Sequence, residues 1–187
     1  MNLSKWACSA PLVALLAIGS APASAANPAF AQFESNGSVL EGETSVEEIG
    51  GVDVSTGHIE VFEFRQRVSL DERRPGQHRP SRSPQGIFEF KTRIGAESVG
   101  LIQAWRQRGE VSGTIKFFKT DPGNGSTYLA TTIEIEQGFV VTVEIEHPDT
   151  LDSTNATIPP TTTVKIVPHV VTTTDVVSGT SFSFTNN

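Results

Sequence analysis

The alternation of apolar and polar residues is the feature that most limits what this chain can fold into. In IEVFEFRQRVSL (59–70) and GIFEFKTRI (86–94), apolar side chains recur at every second position, and the segments are rich in Val, Ile and Phe. A period of two places alternate side chains on opposite faces of a β-strand. Similar runs follow at 111–119, 127–136, 138–146, 163–171 and 180–185. The sequence therefore predicts a mainly β fold.

Two strands carry apolar patterns that predict which residues face a core. Segment 59–70 holds two apolar sets in opposite phase, namely Ile59 and Val61 in one and Phe62, Phe64, Val68 and Leu70 in the other. A β-bulge near Val61 and Phe62 brings both sets to one core, because the extra residue shifts the phase. In 86–94 the predicted apolar face consists of Phe88, Phe90 and Ile94.

Turn residues between the strands predict antiparallel neighbours. DPGNGS (121–126) and EQG (136–138) contain the Gly, Pro, Asn and Asp residues that favour tight turns. Both are therefore predicted to join consecutive strands as β-hairpins.

One segment has a helical period. In GAESVGLIQAWRQRG (95–109) the apolar residues have helical spacing, and glycines stand at both ends. The residues expected to pack are Val99, Leu101, Ile102 and Trp105, and Arg106 and Arg108 suit the last turn of a helix. The sequence predicts an antiparallel β-barrel or sandwich with one short flanking α-helix, and a barrel would also hide the strand edges.

The N-terminus has the pattern of a secretory signal peptide. Lys5 precedes the apolar run 12–18, and Ala23 and Ala25 fit a small-residue cleavage site. The apolar run is shorter than the roughly 20 residues that span a bilayer, so no membrane insertion is predicted. We expect residues 1–25 to be a leader and 26–187 to be a single domain in the periplasm or outside the cell.

Composition and motifs argue against several classes of function. The 187 residues have a net charge of −7, which disfavours binding to nucleic acid or to anionic membranes. The only cysteine, Cys8, lies in the predicted leader, and the four histidines are scattered without metal-binding spacing. No G-x-S-x-G motif is present. The sequence predicts a protein without metal or cofactor that is not an enzyme.

Charge is segregated along the chain. RRPGQHRPSRSP (73–84) contains no acid, and its candidate site residues are Arg73, Arg74, His78, Arg79 and Arg82. Segment 34–53 contains no Lys or Arg, and its candidate residues are Glu41, Glu43, Glu47, Glu48 and Asp53. Three interpretations remain open: the two segments pair within one monomer, they meet between copies as complementary charges, or the basic loop binds an anionic ligand.

The order of segments resembles a known family. GSVLEGETSVEEIGGVDV, then HIEVFEFRQRVSL, the basic loop and IFEFKTRIGAESVGLIQAWRQRGEVSGTIKFFKTD resemble Hcp, the haemolysin-coregulated tube protein of type VI secretion systems. The resemblance runs from about Gln32 to Phe184. In that family the helix begins near a serine and ends at a small residue and a glycine, and those places are occupied here by Ser98, Leu101, Ala104 and Gly109.

The resemblance implies an Hcp-like β-barrel whose hexameric rings stack into a tube. Its implied partners are other copies of itself, secretion-system components and effectors. The family's extended loop, matched by about 71–85, would reach the neighbouring ring, and we expect the acidic residues of 41–53 to receive it. The alternative is a monomeric exported β-barrel module that uses the Arg-rich loop 73–82 to hold an anionic ligand.

Overall fold

The computed structural model describes residues 27–55, 57–70, 84–155 and 157–186. The predicted leader 1–25 lies outside the described residues. The elements, in chain order, are β1 Ala29–Ser35, β2 Ser38–Val39, β3 Glu48–Ile49, β4 Val52–Asp53, β5 Ile59–Leu70, β6 Pro84–Arg93, α1 Ala96–Gln107, β7 Glu110–Thr120, β8 Thr127–Glu146, β9 Thr161–Val167, β10 Val170–Asp175 and β11 Thr180–Thr185. A short 3₁₀-helix, Ser153–Asn155, lies between β8 and β9.

Six strands close into a barrel. They run in the order β8, β7, β1, β5, β6 and β9, and β9 pairs again with β8. Every pairing is antiparallel, and β10 and β11 extend the sheet beyond β8. Closure pairs strand edges that would otherwise be exposed. The mainly β prediction, with a barrel and one short flanking helix, is confirmed.

Strand β8 contradicts one of the two hairpin predictions. DPGNGS is a turn, in which Asp121 N–H donates to Ser126 C=O at 2.8 Å. The EQG segment is not a turn, because β8 continues through it as one strand of 20 residues. Gln137 alone adopts a left-handed conformation, with φ of 52°. One such residue causes a local irregularity in the ladder without ending the strand. Strand β8 pairs with β10 before Gln137 and with β9 after it.

Strand β5 contains the predicted bulge but buries fewer residues than expected. The register with β6 shifts between Val61 and Glu63, which confirms the bulge. Phe62 is 41% exposed and Val68 is 48% exposed, so the prediction that both sets face a core is wrong. Phe62 is the unpaired residue of the bulge. Val68 lies on the outer half of β5, which pairs with β6 but not with β1.

The barrel interior is filled mainly by aromatic and branched side chains. Phe33 and Phe90 stack with ring centroids 5.2 Å apart, and both are buried, as is Phe88. Ile94, predicted to share their face, is 41% exposed because β6 has ended one residue earlier. A second, smaller cluster consists of Phe30, Val54 and Phe118, which lie beneath the short strands β3 and β4.

The side chain of Asn186 makes hydrogen bonds to the backbone where the ladder between β6 and β9 ends. The last pair is Phe88 with Ile166. Beyond it, Gly86 N–H donates to Asn186 Oδ1 at 2.6 Å, and Asn186 Nδ2 donates to Gly86 C=O at 3.0 Å and to Pro168 C=O. Pro168 has no N–H of its own to pair. The amide of Asn186 therefore replaces a backbone rung and ties the C-terminal strand to β6.

Candidate functional surfaces

The helix packs through a different face from the one expected from periodicity. Its buried residues are Glu97, Ser98, Leu101 and Ala104. Three of these, Ser98, Leu101 and Ala104, are positions taken from the family resemblance. Ser98 Oγ lies 2.9 Å from Thr162 Oγ1 of β9 and 3.3 Å from Gly95 N, so it joins the start of the helix to the barrel. Gly100 lies against Leu40, where a Cβ would come within 2.8 Å.

The larger apolar side chains of the helix face outward. Val99, Ile102 and Trp105 are 57%, 36% and 50% exposed, so their predicted packing against the barrel is wrong. Arg106, in the last turn, and Arg108, the left-handed cap residue that follows the helix, are also exposed. We call these five residues the outer helix face. Ser98, Leu101 and Ala104 follow each other at three-residue spacing, and the small size of two of them is the sequence signal that marks the packed side.

The basic loop falls between the paired ends of a hairpin. Arg73, Arg74, His78, Arg79 and Arg82 lie outside the described residues. Leu70 and Pro84, which precede and follow that segment, are register partners at the ends of β5 and β6. Antiparallel partners lie about 5 Å apart between Cα atoms, so the two ends of the segment are held close together.

All five predicted acidic residues are exposed, but the structure divides them. Glu41 and Asp53 line one groove with His58, whereas Glu43 lies close enough to Glu97 to raise the pKa of that buried carboxyl further. Glu47 and Glu48 lie with Asp53 at the β3–β4 turn, which we call the acidic hairpin. The role of the five residues as a complementary patch stays a prediction.

The acidic hairpin holds two carboxylates in opposition. Glu48 and Asp53 are direct register partners across β3 and β4. Asp53 Oδ1 accepts hydrogen bonds from Ser55 N–H at 2.8 Å and from Ser55 Oγ at 2.6 Å, and these bonds lower the pKa of Asp53. Like charges directly opposite each other on neighbouring strands are destabilising. A cationic partner would relieve this repulsion.

The outer face of the barrel has a different charge pattern. Arg65, Glu89 and Lys165 are neighbours across β5, β6 and β9, and Lys165 Nζ lies 3.2 Å from Glu89 Oε2. Lys91 Nζ donates to Glu146 Oε2 at 2.6 Å, and this bond raises the pKa of Lys91. Alternating charge of this kind contributes little to stability at an exposed surface. It also leaves the face without a strong excess of one sign.

An apolar groove of about 890 Å³ opens at one rim of the barrel. Phe62, Ile145 and Ile158 line it, and the guanidinium of Arg93 stacks over the Phe62 ring at 5.2 Å from the centroid. Arg93 Nε also lies 3.6 Å from Glu60 Oε2. The groove is open, so its lining groups remain in contact with solvent.

The described residues contain neither a candidate metal site nor a membrane-spanning helix. Among residues 27–55, 57–70, 84–155 and 157–186, no three His, Cys, Asp or Glu side chains group as metal ligands. In the same part of the chain, no helix has the length and apolar character needed to cross a membrane. Glu134 and Glu136 are both exposed, since residues two apart in a strand lie on the same face.

Comparison with known proteins identifies the fold. No family model matches the sequence, and neither does any curated protein. A crystal structure of an Hcp protein matches with a TM-score of 0.71 at 20% identity, covering 87% of this chain and 99% of that chain. Hcp1 from E. coli EAEC 042 matches at 0.68 and 16% identity, covering 86% and 99%. Secreted protein Hcp3 from Pseudomonas aeruginosa matches at 0.66 and 16%, covering 87% and 99%.

These structures match the barrel and its flanking helix over almost their whole length. The resemblance noted in the order of sequence segments is therefore confirmed at the level of structure. The chain has the Hcp fold.

Proposed function

We propose that this chain is an exported, Hcp-like structural protein of a type VI secretion system, which assembles into hexameric rings that stack into a tube. The observation that carries this proposal is the match to Hcp structures over 87% of the chain. The exposed and unequally charged surfaces add support, because heterologous contacts between copies need two different complementary surfaces. The chain acts as a structural component on this proposal and not as an enzyme.

The proposed layout is a leader at 1–25 and one barrel domain at 26–187. Every described strand and the helix lie within the second range. Export of the domain places assembly in the periplasm or outside the cell.

The basic loop is proposed to make the contact between stacked rings. It carries Arg73, Arg74, Arg79 and Arg82 between the paired ends of β5 and β6, which suits a projecting contact. Its proposed receiving groups are acidic residues of 41–53 on the next ring. Changing all four arginines to Ala should leave the fold intact and prevent stacking, because loops rarely carry core packing.

The test is the mass of the protein in solution. Residues 26–187 are measured by light scattering after size exclusion, at low and at high salt. A mass near six protomers supports the ring, and larger species that dissociate in salt support charged stacking, since charges are screened over about 8 Å at physiological ionic strength. A monomer at every salt concentration would reject assembly. It would favour the alternative, an anion-binding module, which inorganic phosphate would then stabilise.

A further inference from the structure

We propose that the outer helix face docks on the acidic hairpin of a second copy of this chain, in a head-to-tail contact. The inference rests on the proposed self-assembly and states which two surfaces meet. It uses described residues only, and it assigns Glu47, Glu48 and Asp53 to this contact, which leaves Glu41 and Glu43 of segment 41–53 to receive the basic loop. Three observations support it: the chemistry of the helix, the chemistry of the hairpin and the distance between them.

The outer helix face combines apolar area with positive charge. Val99, Ile102 and Trp105 expose 57%, 36% and 50% of their surface, and Arg106 and the cap residue Arg108 are exposed at the C-terminal end of the helix. The one acid of the helix, Glu97, is buried on the opposite side. Trp and Arg are the residues most enriched where binding energy concentrates in protein interfaces. The face therefore suits an acidic partner with some apolar surface.

The acidic hairpin offers that partner. Glu47, Glu48 and Asp53 are exposed, and Glu48 opposes Asp53. Within the chain, Lys116 and His58 lie near Asp53, with Lys116 Nζ 3.5 Å from the carbonyl of Asp53 and 3.0 Å from His58 Nε2. Among the described residues, neither Glu47 nor Glu48 forms a salt bridge. At the turn, a Cβ on Gly51 would meet nothing within 4 Å, so the turn is open to approach. Two arginines would offset the repulsion between the carboxylates.

The two surfaces lie at opposite ends of β1. The hairpin packs through Ile49 and Val52 on the cluster that contains Phe30, near the start of the strand. The C-terminal end of the helix lies at the other end, where a Cβ on Gly109 would meet Ser35 Oγ at 3.2 Å. Five residues of extended strand separate Phe30 from Ser35, or about 17 Å. The two surfaces are thus separated within one copy, and a contact between copies is heterologous, as a ring requires.

Reciprocal charge reversal tests the contact. One variant carries Arg106→Glu and Arg108→Glu, and a second carries Glu47→Arg and Glu48→Arg. Each is made in the full chain with Trp6→Phe, which leaves Trp105 as the only tryptophan. We expect each variant alone to associate at least tenfold more weakly than the parent. An equimolar mixture should recover the parental mass, because each reversed surface then meets its complement on the other variant.

Two further readings make the test specific. Trp105 emission should shift to shorter wavelength on assembly of the parent and of the mixture, and not in either variant alone. A control with Arg67→Glu and Lys119→Glu changes the net charge by as much as the helix variant does and should assemble like the parent. Normal assembly of the helix variant, or failure of the mixture to recover, would overturn the inference while leaving the proposed function intact. A monomeric parent would overturn both.

Discussion

The two faces of helix α1 differ in a way that composition does not predict. The packed face consists of Glu97, Ser98, Leu101 and Ala104, each at most 2% exposed. The outward face has the bulkier apolar residues, Val99, Ile102 and Trp105. Small residues let the helix approach β9 closely enough for the Ser98–Thr162 hydrogen bond. Fit and polar pairing therefore selected the packed face, and the bulkier apolar residues remain exposed.

The largest expected effect is the loss of folding stability when an apolar side chain is removed from the packed face. Leu101→Ala should cost about 2–5 kcal/mol in the free energy of unfolding, because the side chain is fully buried and leaves a cavity. Ile102→Ala, one residue away but 36% exposed, should cost far less. Urea denaturation followed by circular dichroism measures both. Equal losses for the two variants would contradict the assignment of the faces.

The next effect concerns the polar link of the packed face. Ser98→Ala should cost about 1–3 kcal/mol, since it leaves the buried hydroxyl of Thr162 without that partner. Replacing both groups by apolar ones, as Ser98→Ala with Thr162→Val, should recover part of the loss. The comparison uses the same denaturation measurement on both variants. A double variant that loses more stability than Ser98→Ala and Thr162→Val lose together would argue against the direct hydrogen bond between the two hydroxyls.

Glu97 should make the packed face sensitive to pH. Its Oε2 atom is buried without a hydrogen-bond partner among the described residues, and burial, with a smaller contribution from Glu43, raises the pKa above the ordinary 4.5. Folding then favours the protonated form. The stability from this group is complete below pH 4.5 and is lost as pH rises through the raised value.

Glu97→Gln should therefore melt at a higher temperature than the parent near pH 8, and the difference should shrink towards pH 4. The exposed Glu110 provides a control, Glu110→Gln, for the removal of a carboxylate outside the packed face. Thermal melts of the parent and of both Gln variants across this pH range measure these differences. A Gln variant that is less stable at pH 8 would show that the carboxylate is stabilised by a partner.

The smallest effect on stability is expected on the outer face. Val99→Ser with Ile102→Ser should change the free energy of unfolding by about 0.5 kcal/mol or less per site, as is usual for surface substitutions. The same variant should associate more weakly than the parent in light scattering. A large loss of stability without any loss of association would show that Val99 and Ile102 stabilise the fold and do not contribute to association.

Much of the fold could be predicted because it depends on neighbours in sequence. Alternation located the long strands, Gly95 and Gly109 bounded the helix, and the phase change near Val61 located the bulge. EQG could not be interpreted correctly in this way. A turn sequence and a one-residue irregularity share the same composition, and only the pairing of β9 and β10 along one edge of β8 distinguishes them.

The candidate surfaces show the same division. The exposure of the acidic residues follows from their charge, and their segregation from basic residues is visible in the sequence. The opposition of Glu48 and Asp53 depends on the turn at Gly50 and Gly51, both of which have positive φ. The distance between the acidic hairpin and the outer helix face depends on where each packs along β1.

The sequence by itself determined the strand periods, the extent of the helix and the separation of charge along the chain, because each is a property of consecutive residues. The tertiary structure decided which strands pair, which face of α1 is buried and how Asn186 replaces a rung of the sheet. Those outcomes depend on shape and hydrogen-bond fit between groups far apart in sequence, such as Asn186 with Gly86 and Ser98 with Thr162.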